Sequence, residues 1–259
     1  FRRVLFRSKL VRLYPDLNHI ESREYPNHIF IDSICVGKKI WMLFTKMGNK
    51  VVGYNTENND VQLYECGEET DVLRSVDYDG ECFWIGTENG DLLQWNMRTG
   101  IRKRLNNIFG EHKGICVVKC IKGYVWLFPY LSNKCAKVDV STYSVNVLSF
   151  FQDDSETLGV VPRIAWDQRR YIYCFPGEEG NRIAQIDIEN NEIKIYKVCY
   201  HEQTQLKYIQ RYISKNHLFY EESPCGLKMF LTALNDCSYD NNNNLYANNN
   251  VGYSIYTHL

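Results

Sequence analysis

The chain reads as an all-β protein, a β-propeller of four-stranded antiparallel blades with a short helical tail, and three observations predict it. An apolar pair ending in an aromatic recurs four times, at Ile40-Trp41, Phe83-Trp84, Val125-Trp126 and Ile172-Tyr173, at intervals of 43, 42 and 47 residues. About a dozen residues after each pair comes an apolar residue with Asp or Asn: Tyr54-Asn55, Trp95-Asn96, Val138-Asp139 and Ile186-Asp187. Between these landmarks, short alternating runs are broken by Asp79-Gly80, Asn89-Gly90 and Thr99-Gly100, which supply the positive φ of tight hairpin turns. A repeat of this length made of short strands is a propeller blade.

Taken in order, Phe1 to Ser8 resembles the translation of a common sequencing-adapter end, all eight codons matching. It is expected to be foreign to the fold, and the chain a piece truncated at its N-terminus. The propeller is expected over residues 9–220, with about five blades visible and five to seven in the intact protein. Val11 to Tyr14 reads as an outer strand whose blade is missing. The second repeat is the clearest. Val72 to Val76 is a first strand, Cys82 to Ile85 a fully apolar second, Leu92 to Trp95 a third, and Ile101 to Leu105 a polar fourth. That gradient suits blades stacked face to face, with the outer strand in water. The other outer strands are Val61 to Tyr64, Val145 to Leu148 and Ile193 to Tyr196. The Asp and Asn residues that open the last hairpins are expected to cap backbone N–H groups rather than to catalyse. Lys207 to Ile213 and His217 to Tyr220 read as the inner pair of a blade completed by strands from the N-terminus.

The pattern breaks at 221–259. Ser223-Pro224 starts a helix carrying Leu227, Phe230, Leu231 and Leu234, an Asn-rich linker follows at Asn241 to Asn244 and Asn248 to Asn250, and Val251 to Leu259 suggests a short terminal helix.

A net charge of −1 gives no global attraction to nucleic acid or anionic membrane, so no nucleic-acid partner is expected. No apolar run is long enough to span a bilayer as a helix. The ten cysteines include no Cys-x-x-Cys, and the closest pair, Cys116 and Cys120, would sit about 13 Å apart on a strand, too far to share a zinc ion. Cys35, Cys82 and Cys174 lie in apolar strands and read as small core residues, and so many unpaired thiols favour a reducing cytoplasm. The six histidines have no metal-ligand spacing, and no nucleophile elbow, phosphate loop or dinucleotide fingerprint occurs; no metal, cofactor or catalytic residue is expected.

Counting from the aromatic landmark places Asp32, Arg74, Val117, Arg163 and Gln210 at one height on the inner strands. Ile34, Val76, Lys119, Ala165 and Tyr212 fall at the next. Charge on apolar-flanked strands is costly to bury. Arg74, Arg163 and Lys119 therefore either pair with Asp32 and loop acids around a watery channel, or hold a carboxylate or phosphate. Phe44, Phe128 and Phe175 sit where the second strand enters the loop face, two of them in Phe-Pro. They either pack between blades or stack on a sugar ring or peptide.

Asp79-Gly80, Trp84-Ile85-Gly86-Thr87 and Asn89-Gly90 with Leu92 resemble the repeat of two-component regulator propellers, over one blade. Residues 160–196 resemble the blades of virginiamycin B lyase-like propellers, without a match to that family's catalytic His and Glu, so lyase activity does not carry over. The expected protein is a monomeric, non-catalytic bacterial binding or scaffolding propeller of WD40-like type, recognising a protein, peptide or glycan on its loop face through Asp32, Arg74, Lys119, Arg163, Gln210, Tyr212, Phe44, Phe128 and Phe175. The alternatives are a sensory propeller of a signalling protein and a lyase or glycan-active enzyme.

Overall fold

A computed structural model describes residues 30–110, 113–130, 132–151, 163–175 and 182–197, and the strand backbones at 2–6, 9–13, 20–24, 245–247 and 254–256. The chain begins with β1 (Arg2–Phe6), β2 (Lys9–Leu13) and β3 (Ile20–Glu24), an antiparallel sheet in that order. Four sheets of four strands follow, each a meander in chain order. The first is β4 (Phe30–Val36), β5 (Lys39–Phe44), β6 (Lys50–Asn55) and β7 (Val61–Glu65). The second is β8 (Leu73–Tyr78), β9 (Phe83–Thr87), β10 (Leu92–Asn96) and β11 (Gly100–Leu105). The third is β12 (Ile115–Ile121), β13 (Tyr124–Pro129), β14 (Lys134–Asp139) and β15 (Val145–Ser149). The fourth is β16 (Arg163–Trp166), β17 (Tyr171–Phe175), β18 (Arg182–Asp187) and β19 (Ile193–Lys197). A hairpin of β20 (Leu245–Ala247) and β21 (Ser254–Tyr256) comes last.

Among the described residues there is no helix. Within the segment expected to be foreign to the fold, Arg2–Phe6 forms β1, paired along its length with β2, from Arg2 opposite Leu13 to Phe6 opposite Lys9. Two expectations are corrected. The short helix expected over 251–259 is a strand at Ser254–Tyr256, because pairing with Leu245–Ala247 satisfies its backbone. Cys35 is exposed rather than buried: it projects from the opposite face of β4 to Ile34, which packs into the core. The helix expected from Ser223 and the half-blade over 207–220 lie outside the described residues.

The chain divides into two compact units, residues 1–129 with 136–147, and 130–135 with 148–259. Within the first unit, consecutive sheets bury their apolar faces against each other. Trp41 from the first sheet meets Phe83 of the second at 4.8 Å and Trp95 at 5.9 Å, and Tyr64 reaches Trp95 at 5.9 Å. Leu43, Val51, Leu73, Val76, Ile85 and Leu93 fill the space around these rings. The second and third sheets meet through Trp84 and Leu92 on one side and Ile115, Val118, Leu127 and Val138 on the other. Each such large apolar side chain contributes about 1.5–3 kcal/mol on burial. The outer strands are open to water, with Leu63 54%, Val145 41% and Val147 43% exposed, which is the predicted gradient. The second unit contains the fourth sheet, whose interior positions Ile172, Cys174, Ala184 and Ile186 are fully buried.

The capping expectation holds in every repeat. Asn55 accepts from Glu57 N, Asn96 from Arg98 N and Thr99 N, Asp139 from Ser141 N and Thr142 N, and Asp187 from Glu189 N.

Candidate functional site

The innermost strands decide the site, and their register is irregular. Pairing of β4 with β5 skips between Phe30 and Asp32, β8 with β9 between Leu73 and Ser75, and β12 with β13 between Ile115 and Val117. Each strand therefore carries a one-residue bulge, at Ile31, Arg74 and Cys116. A bulge opposes two residues to one and re-aims the extra side chain. Arg74 is thus equivalent to Ile31 and Cys116, not to Asp32 and Val117 as uninterrupted counting implies. The register mate of Asp32 is Ser75, and the mate of Ile34 and Lys119 is Asp77 rather than Val76.

Re-aimed by its bulge, the half-buried Arg74 donates through Nη2 to Glu88 Oε1 at 2.6 Å, on the turn that follows β9. Cys116, the bulge residue of the next strand, lies within the field of both groups. Burial pushes its thiol up to about 11, and the Arg74 guanidinium opposes this only in part. That turn is braced from the side. Arg104 on β11 holds Asp71, in the connection between the first two sheets, and Asp91 Oδ2 at 2.8 Å, where the turn enters β10. Asp71 is 2% exposed and also accepts from Glu68 N at 2.7 Å, while Asp91 Oδ1 accepts from Asn107 N at 2.8 Å. A buried carboxylate is tolerable only when so paired.

Below the bulges, two carboxylates perform one repeated task. The first strand of each four-stranded sheet lies at its edge, where a backbone N–H needs a partner other than a strand of its own sheet. Asp32 Oδ2 accepts from Val76 N of the next sheet at 2.9 Å, and Oδ1 accepts from Ser33 N at 2.8 Å. Asp77 repeats this one rung along, Oδ2 accepting from Cys120 N at 2.8 Å and Oδ1 from Tyr78 N at 3.0 Å. The Ser75 hydroxyl adds a bond to the Ile115 carbonyl at 2.9 Å. Burial pushes the Asp32 carboxyl up to about 6, against the pull of its two N–H donors and the Lys119 charge.

Of the residues selected from sequence, the structure brings Asp32 and Lys119 into one electrostatic neighbourhood and sets Arg74 apart with Glu88. Phe44 and Phe128 are not exposed clasps. Phe44 packs edge-on to Phe30 at 6.1 Å in a cluster with Met42 and Val52, and Phe128 is fully buried. Their alternation along a strand buried on both faces puts them in the core. Arg163 and Phe175 pair with each other at the ends of β16 and β17, and only their backbones are described; Gln210 and Tyr212 lie outside the described residues. Sequence reasoning missed Ser75, Asp77 and Glu88. The one available signal was that Asp77 follows Asp32 by about one repeat. Among the described residues, no group of three His, Cys, Asp or Glu side chains is placed to hold a metal ion, and no helix is long and apolar enough to cross a membrane.

No family model matches the chain, and no curated protein matches its sequence. Its structure is similar to a catalytically inactive variant of virginiamycin B lyase from Staphylococcus aureus with quinupristin, at TM-score 0.58 and 15% identity, over 74% of this chain and 63% of that one. It is similar to the Pan2 WD40 domain of Neurospora crassa at TM-score 0.55 and 8% identity, over 73% and 59%. The fold is a β-propeller. A third likeness is to a protein of unknown function from Bacteroides caccae, at TM-score 0.52 and 10% identity over 73% of this chain and 69% of that one. The chain spans 63% and 59% of the first two chains. Identities this low speak for the propeller fold alone.

Proposed function

We propose that this propeller is a non-catalytic binding or scaffolding module that recognises a protein, peptide or glycan on the face formed by the β9–β10 turn and the connection between the first two sheets. One observation carries the reading: the bulge at Arg74 turns a cation out of the strand and sets it, paired with exposed Glu88, on a turn braced by Arg104. The deeper carboxylates support recognition over turnover, because Asp32 and Asp77 already spend their oxygens on backbone N–H groups. A preorganised, half-exposed ion pair offers a carboxylate or a guanidinium-like group an exchange of partners at small ordering cost.

The test is to select ligands for the wild-type chain from a displayed peptide library and a glycan array, then measure them against Arg74→Ala and Lys119→Ala. The selected ligand is expected to weaken by about tenfold or more with at least the first. The exchange Arg74→Glu with Glu88→Arg keeps the ion pair while inverting the surface, so an intact melting curve with lost binding separates recognition from folding. A ligand indifferent to all three variants overturns the reading.

A lyase or glycan-active enzyme is the second reading, favoured by the likeness to virginiamycin B lyase. It requires His and carboxylate groups to converge, and all six histidines lie outside the described residues. Incubation with quinupristin followed by chromatography decides it: appearance of a product would displace the binding reading. The sensory alternative rests on the single regulator-like blade at Asp79 to Leu92.

A further inference from the structure

We propose that β15 is a homodimerisation edge, through which two copies of this chain join their third sheets into one continuous sheet. Each four-stranded sheet ends in an outer edge strand, and three of the four carry charge: Glu65 in β7, Arg102, Lys103 and Arg104 in β11, and Lys194 in β19. Charge on an edge is the usual guard against pairing with a foreign strand. The β15 strand, Val145-Asn146-Val147-Leu148-Ser149, has neither charge nor proline. It also displays Val145 and Val147 at 41% and 43% exposure, side by side on one face.

The order of residues names the occupant. Val-Asn-Val is symmetric about Asn146, so an antiparallel partner related by a twofold axis through that residue sets Val145 opposite Val147 of the second copy, twice, and Asn146 opposite itself. Such β-branched cross-strand pairs are favourable, and an isologous contact closes after two copies. The same operation about Lys103 in β11 would set Arg102 against Arg104 and Lys103 against Lys103, which like charges forbid. About Gln62 in β7 it would set Val61 opposite Leu63, but that strand ends in Glu65, and about Ile195 in β19 it would place Lys194 opposite Tyr196. Of these four edges, β15 alone joins this symmetry to an absence of charge. One strand edge is small beside the roughly 800 Å² per partner of a standard interface, so the dimer is a reversible, concentration-dependent one.

Sedimentation velocity of the full chain over a concentration series tests this. The wild type is expected to shift from monomer toward dimer as concentration rises. Val145→Lys and Val147→Glu are each expected to abolish the shift while leaving the thermal melt unchanged, since both positions are solvent-facing. The double variant Val145→Lys/Val147→Glu is expected to restore it, because the twofold register sets each introduced lysine opposite an introduced glutamate. Restoration should vanish at high salt, where exposed pairs are screened. A wild type that stays monomeric throughout overturns the proposal and leaves the edge to a strand from another protein. A dimer indifferent to the single variants, or a double variant that remains monomeric, overturns it equally.

Discussion

Asp32 and Asp77 show what single residues do in this fold. Each closes the open edge of the next sheet by accepting one backbone N–H that would otherwise face the gap between strands. A buried N–H without a partner costs about 1–3 kcal/mol, so these carboxylates hold neighbouring sheets in register as well as in contact. The Asp32 carboxyl is raised from 3.8 to about 6 by burial. Between those values the folded chain keeps a proton that the unfolded chain has released. Its contribution is therefore fully present below about pH 4 and lost as pH rises through 6. Urea midpoints measured across that window are expected to fall with rising pH, and Asp32→Asn is expected to flatten the slope. An unchanged slope in the variant would assign the titration elsewhere. Asp32 was legible in sequence as an inner-strand acid able to pair with the nearby cations; its acceptance of Val76 N was not, because that bond joins residues 44 positions apart.

At the scale of the element, the bulges govern the site. Strands were readable from alternation and their turns from Asp-Gly, Asn-Gly and Thr-Gly, since both are local properties of the chain. A bulge is a mismatch between two strands and leaves no mark in either one alone. That is why counting put Arg74 beside Asp32, and why Glu88 went unnoticed as its partner. The same crowding explains a glycine. A Cβ on Gly86 would lie 2.7 Å from the Ile115 Cβ and 2.7 Å from the Ser75 hydroxyl, so the second strand of one sheet touches the first strand of the next. Gly86→Ala is expected to cost about 1–3 kcal/mol by overpacking, read as a lower urea midpoint. It should also weaken any ligand held near Arg74, because Ser75 adjoins the bulge.

For the whole molecule, stability is a matter of neighbouring sheets. Trp41, Phe83 and Trp95 form one aromatic contact between the first and second sheets, fully buried on both sides. Trp41→Ala is expected to cost about 3–5 kcal/mol. A double-mutant cycle with Phe83→Leu should recover a coupling of about 0.5–1.5 kcal/mol; a coupling near zero would mean that the sheets do not share this core in solution. The recurring aromatic landmark made that contact predictable, since a strand apolar on both faces needs a sheet on each side. The phenylalanines Phe44 and Phe128 belong to second strands of the same kind and obey the same rule, which places them in the core.

What the amino-acid order determined by itself was the repeat, the strand sequence within each blade and the capped turns, because all depend on neighbours in the chain and on the period of two along a strand. What only the tertiary structure decided was which side chains meet: the bulge that frees Arg74, the carboxylates that cross between sheets, and the unguarded edge at β15. Those depend on how one sheet is laid against the next, and that offset is set by packing between distant residues.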